Sequence, residues 1–276
     1  MDIHQFQRLE SKSKAFKYTS FVYVSYEDIK DYEIITYSDE IILIKGFNNQ
    51  THLDEIIYMC QDLEVLIIHL KDYPNTLIKH IPMDAYQKFV NKGFIEYAIL
   101  RDYWLNDLSN FNVLYDQVFI AKEEHANIIS QITKDNRGVS RSFYGEDEAF
   151  IRSWINGFNP QLIEMQSTQH KIYVFQENDE ILGVLLTAIY GHQHPKGPTM
   201  WVREIAVKRA YHHQGIGKKL MISALSIAKR DGAKRSFLMA DDLNQHAIKL
   251  YKHLGYVPNM DEQEINLLTP QKEHKA

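Results

Sequence analysis

The chain has one cysteine, Cys60, in 276 residues, which excludes an intrachain disulfide and any zinc site built from several thiolates. That thiol is expected to sit unreactive on an amphipathic helix. No apolar run approaches the length of a membrane span, and the first residues lack the apolar core of a secretory leader. A cationic excess is missing as well. The formal net charge of −5 argues against a general polyanion binder, so the expectation is a cytoplasmic protein with neither nucleic acid nor membrane as partner. With 45% hydrophobic residues there is material for a sizeable core, in one large domain or two ordinary ones.

What is present centres on residues 205–217. Ile205, Ala206 and Val207 end an apolar strand, a basic turn follows, and Ile216 opens a helical apolar pattern through Leu220, Met221, Ala224, Leu225 and Ala228. A helix start carries unpaired N–H groups and partial positive charge, which suit a phosphate or diphosphate. Gly215 and Gly217 let a ligand approach the backbone, and Lys218 and Lys219 add charge. The spacing excludes two familiar phosphate loops. Lys219 stands where a Walker A loop needs its Ser or Thr after Gly-Lys, and Leu220 where a dinucleotide fingerprint needs its third glycine.

Downstream, an apolar strand (Phe237, Leu238, Met239) leads to Asn244, placed as an N-cap. Ala247, Leu250, Tyr251 and Leu254 then follow one helical face, and Gly255 reads as the stop. Asn244 and Tyr251, nearly two turns apart, point the same way about 10 Å apart along the axis. Together the stretch His212-His213-Gln214-Gly215-Ile216-Gly217 and the stretch from Asn244 to Tyr256 resemble the two signatures of the GNAT acyltransferase family, usually Gln/Arg-x-x-Gly-x-Gly/Ala and Asn-x-x-Ala-x-x-Leu/Phe-Tyr-x-x-x-Gly-Phe/Tyr. One departure is His212, in the usual Gln/Arg position. The resemblance covers roughly Val113 to Pro270 and implies an acyl-CoA N-acyltransferase fold: an α/β (α+β) domain with a mixed, mostly antiparallel central sheet flanked by helices. It implies acetyl-CoA as cosubstrate, with the diphosphate held at 212–218, the pantetheine arm at Asn244 and Ala247, and the thioester carbonyl at main-chain groups of Ile205–Val207. It also implies Tyr251 beside the sulfur, as the acid that protonates the departing thiolate.

Elsewhere the pattern predicts a polar arm or first helix over 1–14, a strand over 16–26, a hairpin of 33–37 with 41–45, a short amphipathic helix over 53–60 and a buried strand over 65–70. A polar stretch, 106–112, is the expected boundary. It divides an N-terminal domain, 1–110, from a catalytic domain, 113–276. The second domain is expected to run as strand 118–121, helix 123–133, loop 135–145, helix 146–156, hairpin 172–176 with 181–189, and strand 200–207, with 265–268 closing the sheet. Within the first domain Ala85, Phe89, Gly93 and Phe94 fall on Ala247, Tyr251, Gly255 and Tyr256. Two readings stand: a degenerate, non-catalytic GNAT-like half, or a short pattern that coincides. If the repeat is real, the molecule is either a monomer of pseudo-dimeric halves or a homodimer.

Acyl transfer to an amine also needs a route for the amine's proton. Glu204, on the strand that would bear the thioester, is the nearest carboxylate. Its other reading is a sheet charge paired with Arg203 or a lysine. Asp241 and Asp242 are alternatives, although they suit a turn. His192 and His194 lack a third ligand, so no metal is expected, and a place at the rim of the acceptor pocket is the remaining role. Arg137, Arg141, Phe143 and Tyr144 form the other expected acceptor wall. The implied function is N-acetyl transfer from acetyl-CoA to a primary amine of a small molecule or peptide. The competing class is a non-catalytic acyl-CoA-binding sensor or interaction module.

Overall fold

The structure is a computed structural model that describes residues 1–141 and 143–271, without the Glu262 side chain; the last five residues of the expected 113–276 domain lie outside the described residues. The chain divides into two compact units, Met1–Leu100 with Gln263–Ala276, and Arg101–Glu262. The expected boundary lay at 106–112, and the expected second domain took in residues that this division groups with the first unit. The end of the last strand, Val257–Leu268, belongs with the first unit: Leu267 and Leu268 pair antiparallel with Ile78 and Leu77, and the Ile81 N–H bonds the Ile265 carbonyl at 2.9 Å.

In the first unit a helix, Ile3–Ser13, starts at Asp2, whose carboxylate caps the Gln5 N–H. Strands Glu33–Tyr37, Ile41–Asn48 and Leu53–Cys60 form an antiparallel meander. The helix Leu63–Leu70 follows, then Leu77–Ile78, parallel to Leu53–Cys60, and the short helix Tyr86–Val90. The expected helix over 53–60 is therefore a strand, and the expected strand over 65–70 lies in a helix. Along Leu53–Cys60, Ile56, Tyr58 and Cys60 enter one core while Ile57 and Met59 enter the other. A strand buried on both faces reads as a continuous apolar run with no alternation, so its period is invisible. Helix Leu63–Leu70 is set by Asp62, whose side chain accepts the Glu64 N–H at 2.8 Å. Cys60 is accordingly a strand residue, buried, its thiol pushed up to about 12 by burial. The expected strand over 16–26 breaks into a two-residue bridge at Tyr18–Thr19, a 3-10 turn at Phe21–Tyr23 and a short helix at Tyr26–Ile29.

In the second unit strands Val118–Ile120, Gln169–Glu177, Glu180–Tyr190 and Thr199–Val207 are antiparallel neighbours, and Arg235–Asp241 joins Thr199–Val207 in parallel. The sheet is mixed and mostly antiparallel, as expected. Asn178 and Asp179, both at positive φ, make the tight turn between Glu177 and Glu180, the twist that a two-residue hairpin favours. Leu182, Leu185, Met200 and Val202 pack on one face with helices Ile216–Arg230 and Gln245–His253. Val184, Leu186, Ala188 and Ala206 pack on the other with helices Ala126–Asp135, Glu148–Ile155 and Pro160–Glu164. The last of these helices was not anticipated; Asn159 caps it and Pro160 opens it, a start signal of the ordinary kind.

Candidate active site

Parallel pairing between Thr199–Val207 and Arg235–Asp241 stops at Trp201 with Phe237, while pairing on the opposite edge continues to Val207 with Gly183. The sheet therefore splits from Val202 onward. The Val207 carbonyl faces away from the paired edge, since it accepts His212 Nε2–H at 2.7 Å and Asn136 Nδ2–H at 3.0 Å. Strand alternation puts the backbone groups of Ile205 on the same open side. A bulge between Val202 and Glu204 sets two successive side chains, Arg203 and Glu204, on the face that holds Trp154.

The turn after the strand closes on the helix through left-handed residues, His213 at φ 62° and Gly215 at φ 80°. A Cβ on Gly215 would meet nothing within 4 Å, so this glycine serves its φ, and the surface above it is open. The Lys219 N–H is bonded to Gly215 O at 3.0 Å, and the N–H groups of Ile216, Gly217 and Lys218 precede any helical acceptor. His212 bonds back to its own strand, Gln214 Nε2 reaches Ala210 O at 3.3 Å, and Lys219 turns away to lie 5.1 Å over the Phe175 ring. Of the two lysines, Lys218 is the one beside the cradle.

Asn244 caps helix Gln245–His253, accepting the Ala247 N–H at 3.3 Å. Leu250 lies 3.5 Å from where a Gly217 Cβ would stand, so the two motifs meet. Next in sequence, Tyr251 is buried, its ring 6.3 Å from Tyr103 and 6.0 Å from Tyr256. Burial raises its phenol pKa, so the hydroxyl stays protonated. That hydroxyl has no hydrogen-bond partner among the described residues, whereas Tyr256 donates to Ser236 Oγ at 2.6 Å.

Glu204 is buried on the face opposite Tyr251, opposite Leu186 in register. Its Oε2 accepts from Arg203 at 2.8 Å, and its Oε1 is buried with no partner. Arg203 also meets Glu146 at 2.6 Å and Gln161 at 2.8 Å, and stacks 4.5 Å from the Phe150 ring. One guanidinium thus serves a buried carboxylate, Glu204, and a half-buried one, Glu146. Burial pushes Glu204 up to about 7, with Arg203 opposing and Glu146 adding to the rise; Glu146 is raised by burial too. The Arg203 pairing weighed from sequence is present, and Glu146 is a partner that sequence proximity could not reveal.

Other candidates are engaged elsewhere. Asp241 accepts the Leu243 and Arg141 N–H groups, and Asp242 pairs with Arg101 at 2.8 Å. The rim role expected for His192 and His194 does not fit: their loop precedes Thr199, the end of the strand remote from the split, where His192 meets Thr168 and His194 meets Arg235. In the expected acceptor wall, Arg137 is tied to Tyr144 O, and Asn136 anchors the loop to Val207.

Residues 140–256 match the model of the acetyltransferase (GNAT) family. Among solved structures, a GCN5-related N-acetyltransferase from Sphaerobacter thermophilus is similar at a TM-score of 0.52 and 13% identity, over 88% of this chain and 85% of that one. One from Anabaena variabilis reaches 0.56 at 9% identity, over 97% and 70%. An acetyltransferase of the GNAT family from Colwellia psychrerythraea reaches 0.54 at 11%, over 98% of each chain. At such identities the likeness is one of fold, and it spans both units.

Proposed function

We propose that the GNAT acetyltransferase domain at 140–256 is an N-acetyltransferase that moves an acetyl group from acetyl-CoA directly to a primary amine of a small molecule or peptide, in the cytoplasm. The observation that carries this reading is the split in the sheet. It opens beside a glycine-lined helix start, with a protonated, unpartnered phenol on one face and an ionisable buried carboxylate on the other. In this reading the helix start and Lys218 hold the diphosphate, Asn244 and Ala247 flank the pantetheine arm, and the thioester lies in the split. Open N–H groups of Ile205 and Val207 polarise its carbonyl, which is oxyanion-type stabilisation.

The amine nitrogen attacks the carbonyl carbon, the C–N bond forms and the C–S bond breaks. Tyr251 gives its proton to the departing thiolate. The amine's proton goes to Glu204, directly or through one water, and a base with a pKa near 7 suits that task. Attack from the Glu204 face and departure toward the Tyr251 face keep acid and base apart. Thiol release from acetyl-CoA with a panel of small-molecule and peptide amines tests the proposal. Release with at least one amine, rising with pH through about 7, is the expected result. CoA binding with no thiol released by any amine would instead favour the acyl-CoA sensor.

A further inference from the structure

Segments 208–219 and 243–256 contain no aspartate or glutamate, in a chain whose net charge is −5. The helix Gln245–His253 buries Ile248 and Tyr251 in the core. A second stripe on it, His246, Leu250 and His253, has the spacing of one helical face and looks at the cradle. The His246 ring stands 4.9 Å from that of His213, and His253 Nε2 lies 2.8 Å from Lys218 Nζ. Leu250 sits between these two polar rungs, against Gly217. All four polar side chains are exposed.

An ammonium can only donate, so Nε2 of His253 accepts here and its Nδ1 carries the proton. That N–H and the remaining Lys218 protons have no partner among the described residues. The pair is an unsatisfied set of donors one step along the helix from the N–H groups suited to a diphosphate. Coenzyme A carries one further phosphate, on the ribose 3′ oxygen. A terminal phosphate, with two charges and three acceptor oxygens, matches an ammonium beside an imidazole.

We propose that Lys218 and His253 bind the ribose 3′-phosphate of CoA and set a preference for CoA over its 3′-dephospho form. The proposal rests on the cradle reading above. His213 and His246, at the other rung, flank the part that the two ligands share.

Titration calorimetry on the full chain with CoA and with 3′-dephospho-CoA tests it. The unaltered protein is expected to favour CoA by about tenfold or more, the scale of hydrogen bonds to a charged group. His253→Gln and Lys218→Met bring that ratio toward one. Retained dephospho-CoA binding by His253→Gln shows that this variant is folded with its cradle intact; Lys218→Met, which also removes a charge beside the diphosphate, weakens both ligands and CoA the more. His246→Gln weakens both ligands alike. A ratio left unchanged by His253→Gln and Lys218→Met, or altered by His246→Gln alone, overturns the assignment. Equal binding of both ligands to the unaltered protein overturns it while sparing the cradle. Binding of neither ligand overturns both.

Discussion

Residues 53–94 and 199–256 build the same succession twice. A strand of an antiparallel set feeds a helix, a parallel strand follows, and a second helix stops on a glycine. The stops agree in detail. Gly93 and Gly255 sit at φ 86° and 94°, the Phe94 N–H bonds Phe89 O, and the Tyr256 N–H bonds Tyr251 O. The connections between strand and first helix differ. In the first copy only Gln61 and Asp62 separate Cys60 from Leu63, and the Asp62 carboxylate fills the helix start. In the second, residues 208–215 intervene and the helix start carries Gly215 with no side-chain cap.

The strands differ as well. Leu53–Cys60 pairs with its antiparallel neighbour without a register shift, and Tyr58 donates across to His80 O at 2.7 Å, whereas the second copy is bulged and split. Both copies bury a glutamate. Glu55 is satisfied by Tyr32, Asn48 and Lys79, while Glu204 keeps an oxygen without a partner. A shared scaffold thus ends in an open helix start in one copy and a carboxylate-capped one in the other, through loop length and a few polar atoms.

The sharpest test converts one copy's residue into the other's. Tyr251→Phe reproduces Phe89 and is expected to lower kcat by about 10²–10⁴-fold with the CoA Kd nearly kept; an unchanged kcat removes Tyr251 from the mechanism. Gly215→Asp reproduces the carboxylate at the helix start and should weaken CoA by roughly 100-fold in calorimetry. Retained affinity would dissociate the cradle from the diphosphate.

The two glutamates should respond in opposite directions to amidation. The folded pKa of Glu204, about 7, lies above the ordinary carboxylate value near ~4.3. Its contribution to stability is therefore full below that lower value and is lost as pH rises through 7. Glu204→Gln should be more stable than the parent above pH 7, by roughly 1–3 kcal/mol in urea melts, with the gap closing as pH falls. Glu55→Gln should destabilise by a similar amount at neutral pH, because it breaks a satisfied set of contacts. The smallest effect is expected from Asp62→Ala, about 1 kcal/mol of cap energy with no change in CoA affinity.

Much of the second copy was legible in the chain. Its turn glycines, the Asn244 cap and the Tyr251 stripe are local signals, and each element carries them within a few residues. The first copy was obscured because Leu53–Cys60 is buried on both faces and the helix Leu63–Leu70 is almost wholly apolar, so periodicity assigned the two the wrong way round. The parallel with the second copy then rested on Ala85, Phe89, Gly93 and Phe94 alone.

Local order along the chain determined the glycine turn with its open helix start, the capped helix and the protonated phenol's place on it, because caps, glycine conformations and helical spacing act over a few residues. Tertiary structure decided the sheet split, the sharing of Arg203 between Glu204 and Glu146, the approach of Lys218 to His253, and the return of residues 265–268 to the first unit. Each of these depends on which strands and helices become neighbours, and on how deeply water is excluded between them. Neither is written in any single stretch of sequence.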